Sequence, residues 1–265
     1  MYNLEKEIYL GNSKNVYNKS DGISIIETEY QNKVYEGWHS HKNAHITLFL
    51  KGGTIEKRKK ENFSVSPGTV LFYHSDELHL NQNTLFPSKN INIEIDENHF
   101  NEFEITEEIL KKGTADTVKT KLFILKIYNE CLIGDVFSKD SINMLFANLA
   151  SNQNYLEQFS KCPNWVNSLY ELLNDCWSEN PSLNELSKIL NINPISISKH
   201  FPKYFGCTLG EYIRRLKIDR SLTLMQQPSS SLTEISFECG FADQSHFIRT
   251  FKHQTGFSPK KFRDL

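Results

Sequence analysis

Two stretches of this 265-residue chain follow one pattern, and the pattern leaves little freedom in what they can become. SLNELS begins at Ser182 and SLTEIS at Ser231. In each, a Ser is followed three residues later by a Glu, the reciprocal arrangement that satisfies free amides at a helix start. Each segment runs for about two turns and meets a short turn, NIN ending at Asn193 in one copy and GFAD ending at Asp243 in the other. A second helix opens there with a good cap: Asn193 with Pro194 at the first helical position, and Asp243 in the later copy. The match continues at an offset of 50 residues, with Ile197 and Phe201 against Phe247 and Phe251, Gly206 against Gly256, Thr208 against Ser258 and Tyr212 against Phe262. This spacing predicts two helix-turn-helix motifs in tandem.

In the second motif Phe247 and Phe251 lie one turn apart and must face the core, which turns Gln244, Ser245, Ile248, Arg249 and Lys252 outward. A helix with such a face fits a DNA major groove: Arg249 suits guanine, Gln244 adenine and Ile248 a thymine methyl, while Asp243 serves as the cap. The first motif offers Ile195, Ser198 and Lys199 on the same face, a poorer set of planar hydrogen-bonding groups, and is expected to read sequence less sharply. Pro202 falls late in that helix, where its missing amide and ring clash should kink or end it. Between the motifs, LGEYIRRLKIDRSLTLMQQ has the spacing of one helix of about 17 residues, roughly 25 Å long at about 1.5 Å per residue, which sets the motifs on neighbouring grooves about 34 Å apart. Arg214, Arg215, Lys217 and Arg220 lie on or near it and either hold phosphates or form a solvated face.

Charge agrees with a polyanion partner for this part alone. Residues 1–182 carry 18 Lys and Arg against 25 Asp and Glu, a net −7, whereas residues 183–265 carry 12 against 7, a net +5. Hydrophobic content of 38% and charge of 23% are those of an ordinary globular protein with enough chain for one or two domains. The five scattered cysteines, with no C-x-x-C pair, argue against a disulfide framework or a zinc knuckle. No apolar run is long enough to span a bilayer and the first residues lack a secretion signal, so a cytoplasmic protein with no membrane partner is expected.

From about residue 23 to 96 the period is two. INIEI (Ile91, Ile93, Ile95) alternates, and TLFLKGG and TVLFY are short apolar runs beside glycine turns, predicting a small β-barrel or jelly roll. KRKK, Lys57 to Lys60, reads as an exposed hairpin whose lysines discourage edge pairing rather than as a nucleic-acid patch. Val118, Leu122, Leu125 and Cys131 to Ile133 predict one connecting helix, and Ile142, Leu145, Phe146 and Leu149 another; they pack on the barrel or on a second subunit. From Pro163 onward the chain reads helical, with Trp165, Leu169, Leu172 or Leu173 and Cys176 on one helix that Asn180 and Pro181 end. The expected class is α+β multidomain: a β domain over 1–110, connecting and dimerising helices over 111–160, and an all-α domain over 161–265.

LTEISFECGFADQSHFIRTFKHQTGFSPKKFR closely resembles the second motif of the AraC/XylS family of bacterial transcription regulators, over about 100 residues in all. Ser236 stands where that family usually has Ala, Lys217 and Ser221 replace its common Arg and Ala, and Leu209 replaces Pro. The resemblance implies sequence-specific binding to double-stranded promoter DNA, commonly with activation and contact to RNA polymerase, and often a homodimer formed through the other domain.

HSHKNAHITLFLKG resembles the first cupin motif, with His39, His41, His45 in place of its Glu, and Gly52. GTVLFYHSDELHLNQN resembles the second, with Gly68, His79 and Asn83, while His74 and Asp76 replace Pro and Gly. Such a cupin-like half implies a sensor for a small-molecule effector, with Trp38, His39, His41, His45 and His79 as candidate effector residues. His39 and His41 share one strand face, and with His45 and His79 they make a ring of imidazoles suited to a divalent transition metal such as Zn, Fe, Ni or Cu. The alternatives are that they line the effector pocket without metal or remain from the cupin plan. Trp38, Phe49, Phe72 and Tyr73 line a pocket or form core. No acid–base pair or nucleophile accompanies the histidines, so no catalytic residue is assigned and no enzyme is expected. The competing readings are a metal-dependent cupin enzyme with a helical appendage, and a DNA-binding protein whose front domain only dimerises.

Overall fold

A computed structural model describes residues 2–20, 22–150, 162–226 and 230–265. The chain divides into two compact units, Met1–Ala150 and Ser151–Asp264.

The front unit is one curled eight-stranded sheet: β1 (Tyr2–Leu4), β2 (Asn12–Ser20), β3 (Ile23–Tyr30), β4 (His39–His41), β5 (Ala44–Arg58), β6 (Asn62–Val65), β7 (Val70–Tyr73) and β8 (His79–Ile95). β5 and β8 form a single antiparallel ladder from Ala44 opposite Ile95 to Arg58 opposite His79. Register shifts between Phe49 and Ile55 break its regularity, and such bulges bend a ladder. One half is flanked by β3 and β2 on one side and β7 on the other; the second half is flanked by β4 and β1 and by β6. The β domain expected from the period-two stretches as a small barrel or jelly roll is therefore present as a curled half-barrel.

Alternation gives this sheet two chemically distinct faces. Ile25, Ile93 and Ile46 stand in one row across β3, β8 and β5, and all three are fully buried. Ile26, Asn92 and Thr47 form the next row and Thr28, Asn90 and Phe49 another, on the opposite face. Thr47 donates to Asn92 Oδ1 at 2.8 Å, and Asn92 Nδ2 donates to Thr28 Oγ1 at 3.2 Å. After β8 come α1 (Glu97–Glu102), α2 (Glu107–Gly113), α3 (Thr117–Ile133) and α4 (Ser138–Ala150). Leu122, Leu125 and Tyr128 of α3 are buried with Ile142, Phe146 and Leu149 of α4, and the Tyr128 hydroxyl donates to Glu27 on the isoleucine side of β3. The lysines of the β5–β6 hairpin are exposed at Lys59 and Lys60, but Arg58 turns inward to Glu56.

The helical unit contains α5 (Asn164–Asp175), α6 (Leu183–Leu190), α7 (Pro194–Phe205), α8 (Leu209–Leu224), α9 (Leu232–Glu238), α10 (Gln244–Thr255) and α11 (Pro259–Arg263). Both capping boxes form, Ser182 with Glu185 and Ser231 with Glu234. Asn193 and Asp243 cap α7 and α10 through their side chains. The apolar positions that match at the 50-residue offset are core: Phe201 stacks on Phe205 with centroids 4.0 Å apart and both meet Tyr212, while Phe247, Phe251 and Phe262 form the equivalent cluster. Ser221 and Ser236 are fully buried, and each hydroxyl donates to a carbonyl three residues back, Ile218 O and Thr233 O. A hydroxyl is thus tolerated where the related pattern has a methyl.

Pro202 does not end its helix. α7 continues to Phe205, where Gly206 donates back to the Pro202 carbonyl at 3.0 Å. The ring lies so near the C-terminus that the loss of one amide is absorbed by the remaining turn and by the buried aromatics.

Gly206 and Gly240 both have positive φ, +66° and +68°. A Cβ on Gly206 would meet nothing within 4 Å, so Gly206→Ala should cost only the left-handed backbone penalty of about 1–2 kcal/mol. A Cβ on Gly240 would overlap the Ser178 carbonyl oxygen, so Gly240→Ala should lower the melting midpoint by clearly more in the same calorimetric series.

Candidate nucleic-acid interface and effector cavity

On α10, Ser245, Arg249 and Lys252 are exposed and Gln244 and Ile248 half-buried, while Phe247 and Phe251 are fully buried. Thr233 Oγ1 donates to Gln244 Oε1 at 2.9 Å, which aims the carboxamide along the outer surface of the motif. On α7, Ile195 is 74% exposed and Ser198 and Lys199 are exposed. Both motifs therefore present the sequence-predicted residues outward on their second helices. Along α8, Arg214 and Arg220 are exposed and Arg215 pairs with Glu211. Lys217 is different: it is buried, and Nζ donates to Asn180 Oδ1 and to the Gly240 carbonyl, each at 2.6 Å. It is not available to a phosphate.

The polar face of the sheet borders a small, partly open cavity of about 50 Å3. His39, His41, His45 and His79 line it together with Asn81, Asn90, Asn92 and the Phe49 and Tyr73 rings, and among the described residues no Lys, Arg, Asp or Glu is in its walls. Trp38 is exposed and outside that lining, and Phe72 is buried elsewhere. The asparagines were missed in the sequence, although part of the signal was there: in NINIEI, residues 90–95, Asn90 and Asn92 alternate with Ile91 and Ile93, as an inward polar face requires.

His39, His41 and His79 each offer a ligand atom within 4.8 Å of the others, a geometry that can hold a metal ion. His39 Nδ1 lies 3.0 Å from the Gly37 carbonyl and His79 Nδ1 lies 3.0 Å from the Glu77 carbonyl. A carbonyl only accepts, so each neutral ring carries its proton on Nδ1 and leaves the Nε2 lone pair free. His41 Nδ1 is buried and has no hydrogen-bond partner among the described residues. His45 is not in this set; its ring stacks on Tyr73 at 4.3 Å with planes 6° apart. Tyr73 in turn donates to Glu56, which Arg58 pairs at 2.7 Å, so the charges stand behind the aromatic wall. Burial is the main force holding the imidazoles neutral, reinforced by the neighbouring rings at His39, His41 and His45: His39 and His79 fall to about 4, His45 to about 3, and His41 falls further still.

Two family models match. A helix-turn-helix domain spans residues 186–264 and an AraC-like ligand-binding domain spans 22–83. The chain belongs to the AraC family. Over 107 residues it is 32% identical to the Msm operon regulatory protein of Streptococcus mutans, a match of 40% of this chain and 38% of that one. The transcriptional activator RhaS of an Enterobacter species is 26% identical over 98 residues, 37% of this chain and 35% of its own. These first matches thus span well under half of the relatives' length. The transcriptional regulator YdeC of Bacillus subtilis is 20% identical over 256 residues and aligns across 86% of both chains. The solved ToxT structure from Vibrio cholerae covers 93% of this chain and 98% of its own at 12% identity, with a TM-score of 0.37. No described helix is long and apolar enough to cross a membrane.

The depressed imidazoles set a stability window. Unfolded histidines take up protons below about pH 6.5, whereas the folded ones resist until about pH 4, so protons favour the unfolded chain in between. Calorimetry from pH 7.5 to 4.5 should show the melting midpoint of the front unit falling below about pH 6.5, and less steeply in His79→Gln.

Proposed function

We propose that this protein is a sequence-specific DNA-binding transcription regulator whose half-barrel senses a small effector in its cavity. What carries the reading is the pair of outward second helices, α7 and α10, held in one compact unit of net positive charge behind an acidic front. Arg249 reads guanine, Gln244 and Ile248 read neighbouring bases, Ser245 supports them, and Lys252 holds phosphate. Ile195, Ser198 and Lys199 make the second, less discriminating contact. Activation through RNA polymerase follows the family resemblance. Val136, Phe137 and Met144, exposed around the α3–α4 turn, support a homodimer formed by the front unit.

Duplexes selected from a random library should yield a preferred sequence; equal binding to selected and competitor DNA would exclude the reading. On that site Arg249→Ala should lose about 1–3 kcal/mol and relax one base position. Lys252→Ala should weaken all sequences alike and lower the salt slope by about 1.

A second reading concerns the trihistidine cluster. The free lone pairs at His39 and His79 and the unpartnered His41 Nδ1 fit a divalent transition metal, which would supply a positive charge that draws an electron-rich group of the effector to the cavity floor. That charge would turn a neutral pocket into one that favours anions, and the metal-dependent enzyme reading would require turnover besides. Titration with Co(II) should give visible absorption saturating at one ion per chain and lost in His41→Gln; an unchanged spectrum would exclude a metal.

A further inference from the structure

We propose that Lys217 is a positioning residue for paired-site recognition: its ammonium locks the angle between the two helix-turn-helix motifs and so fixes which half-site spacing one chain can grip. This rests on the DNA-binding reading above.

Lys217 lies midway along α8 and is 3% exposed. Its hydrogen bonds go to neutral oxygens, Asn180 Oδ1 and the Gly240 carbonyl, and among the described residues to no carboxylate. A buried cation without a counter-charge is expensive, and an apolar side chain would fill the space without that cost. What the ammonium adds is direction, because two of its donors tie the middle of α8 to pieces of chain far apart in sequence. Asn180 belongs to the segment that leads into Ser182, the cap of the first motif; Gly240 opens the turn of the second; Lys217 belongs to the helix between them. Asn180 Nδ2 also donates to the Gly240 carbonyl at 3.2 Å and closes the triangle.

The triangle acts on the second reading helix through one ring. Lys217 Nζ lies 5.6 Å from the centroid of Phe241, and Phe241 packs on His246 and Phe247 of α10, each at 5.3 Å. The Ser178 carbonyl lies so close to Gly240 that a Cβ there would overlap it, which leaves the turn no room to swing. The ammonium also faces the carbonyl end of α9, where positive charge is favoured. Two linked modules gain from each other only when both reach their sites at once, so an angle held this firmly should appear as a sharp spacing preference.

The test uses the full chain and its selected duplex, with the half-sites moved apart or together by one and two base pairs. The wild-type chain should lose affinity about tenfold or more off the optimum, whereas Lys217→Met should flatten that loss to within about threefold while binding a single second-motif half-site within about threefold of wild type. Lys217→Arg should restore the sharp profile. Asn180→Ala, at an exposed position, removes one corner of the triangle and should flatten the profile in part; it replaces Lys217→Met if circular dichroism shows that variant unfolded. A folded Lys217→Met or Asn180→Ala chain with the wild-type profile overturns the proposal. So does an equal loss on single and paired sites, which marks mere destabilisation. Wild-type sequence preference without spacing dependence overturns this inference alone, and no sequence preference at all overturns the DNA-binding reading with it.

Discussion

Burial of Phe247 and Phe251 one turn apart fixes the rest of the second motif. Once those two rings are committed to a core with Phe262, the rotation of α10 is set, and Ser245, Arg249 and Lys252 have nowhere to go but outward. Phe201, Phe205 and Tyr212 impose the same orientation on α7. The polar surface is therefore a by-product of aromatic packing and needs no contact of its own to hold it. The capping boxes at Ser182 and Ser231 act earlier in the sequence of each motif, starting the helices against which those rings close.

The front unit applies the same economy to a sheet. One alternation supplies both the isoleucine rows that face α3 and the amide, hydroxyl and imidazole rows that face the cavity. Glu56, fully buried, pairs with Arg58 behind Tyr73, and among the described residues the cavity walls carry no formal charge while the histidines remain neutral. Such a site discriminates by hydrogen bonding or by a bound ion and not by a fixed field.

What was legible in the sequence is what local spacing determines. The capping boxes, the outward residues of α10, and His39 with His41 on one strand face all follow from periods of 3.6 and 2. What was not legible depends on long-range register. His79 entered the ring through the cupin resemblance, and the β4–β8 pair is what joins it to His39; that His45 leaves the set, because Tyr73 is opposite it in the β5–β7 pair, nothing in the local spacing shows. Lys217 read as a surface cation like Arg214 and Arg220, since nothing within α8 reveals that Asn180 and Gly240 converge on it. Pro202 read as a helix end because the rule for proline is local, whereas the stacking of Phe201 on Phe205 that carries the helix past it is only visible once the motif is packed.

A single ladder joins the isoleucine rows to the histidine corner, and only the irregular stretch between Phe49 and Ile55 separates them. Losing one residue from that stretch would leave Ala44 to Phe49 in frame and turn every side chain beyond it inside out, moving Glu56 to the exposed place of Ile55 and Lys57 into the buried place of Glu56 opposite Asn81. Length here is consequently constrained together with side-chain size: Gly52 and Gly53 lie in the same stretch, and a Cβ on either would come within 2.7 Å of a neighbouring backbone oxygen.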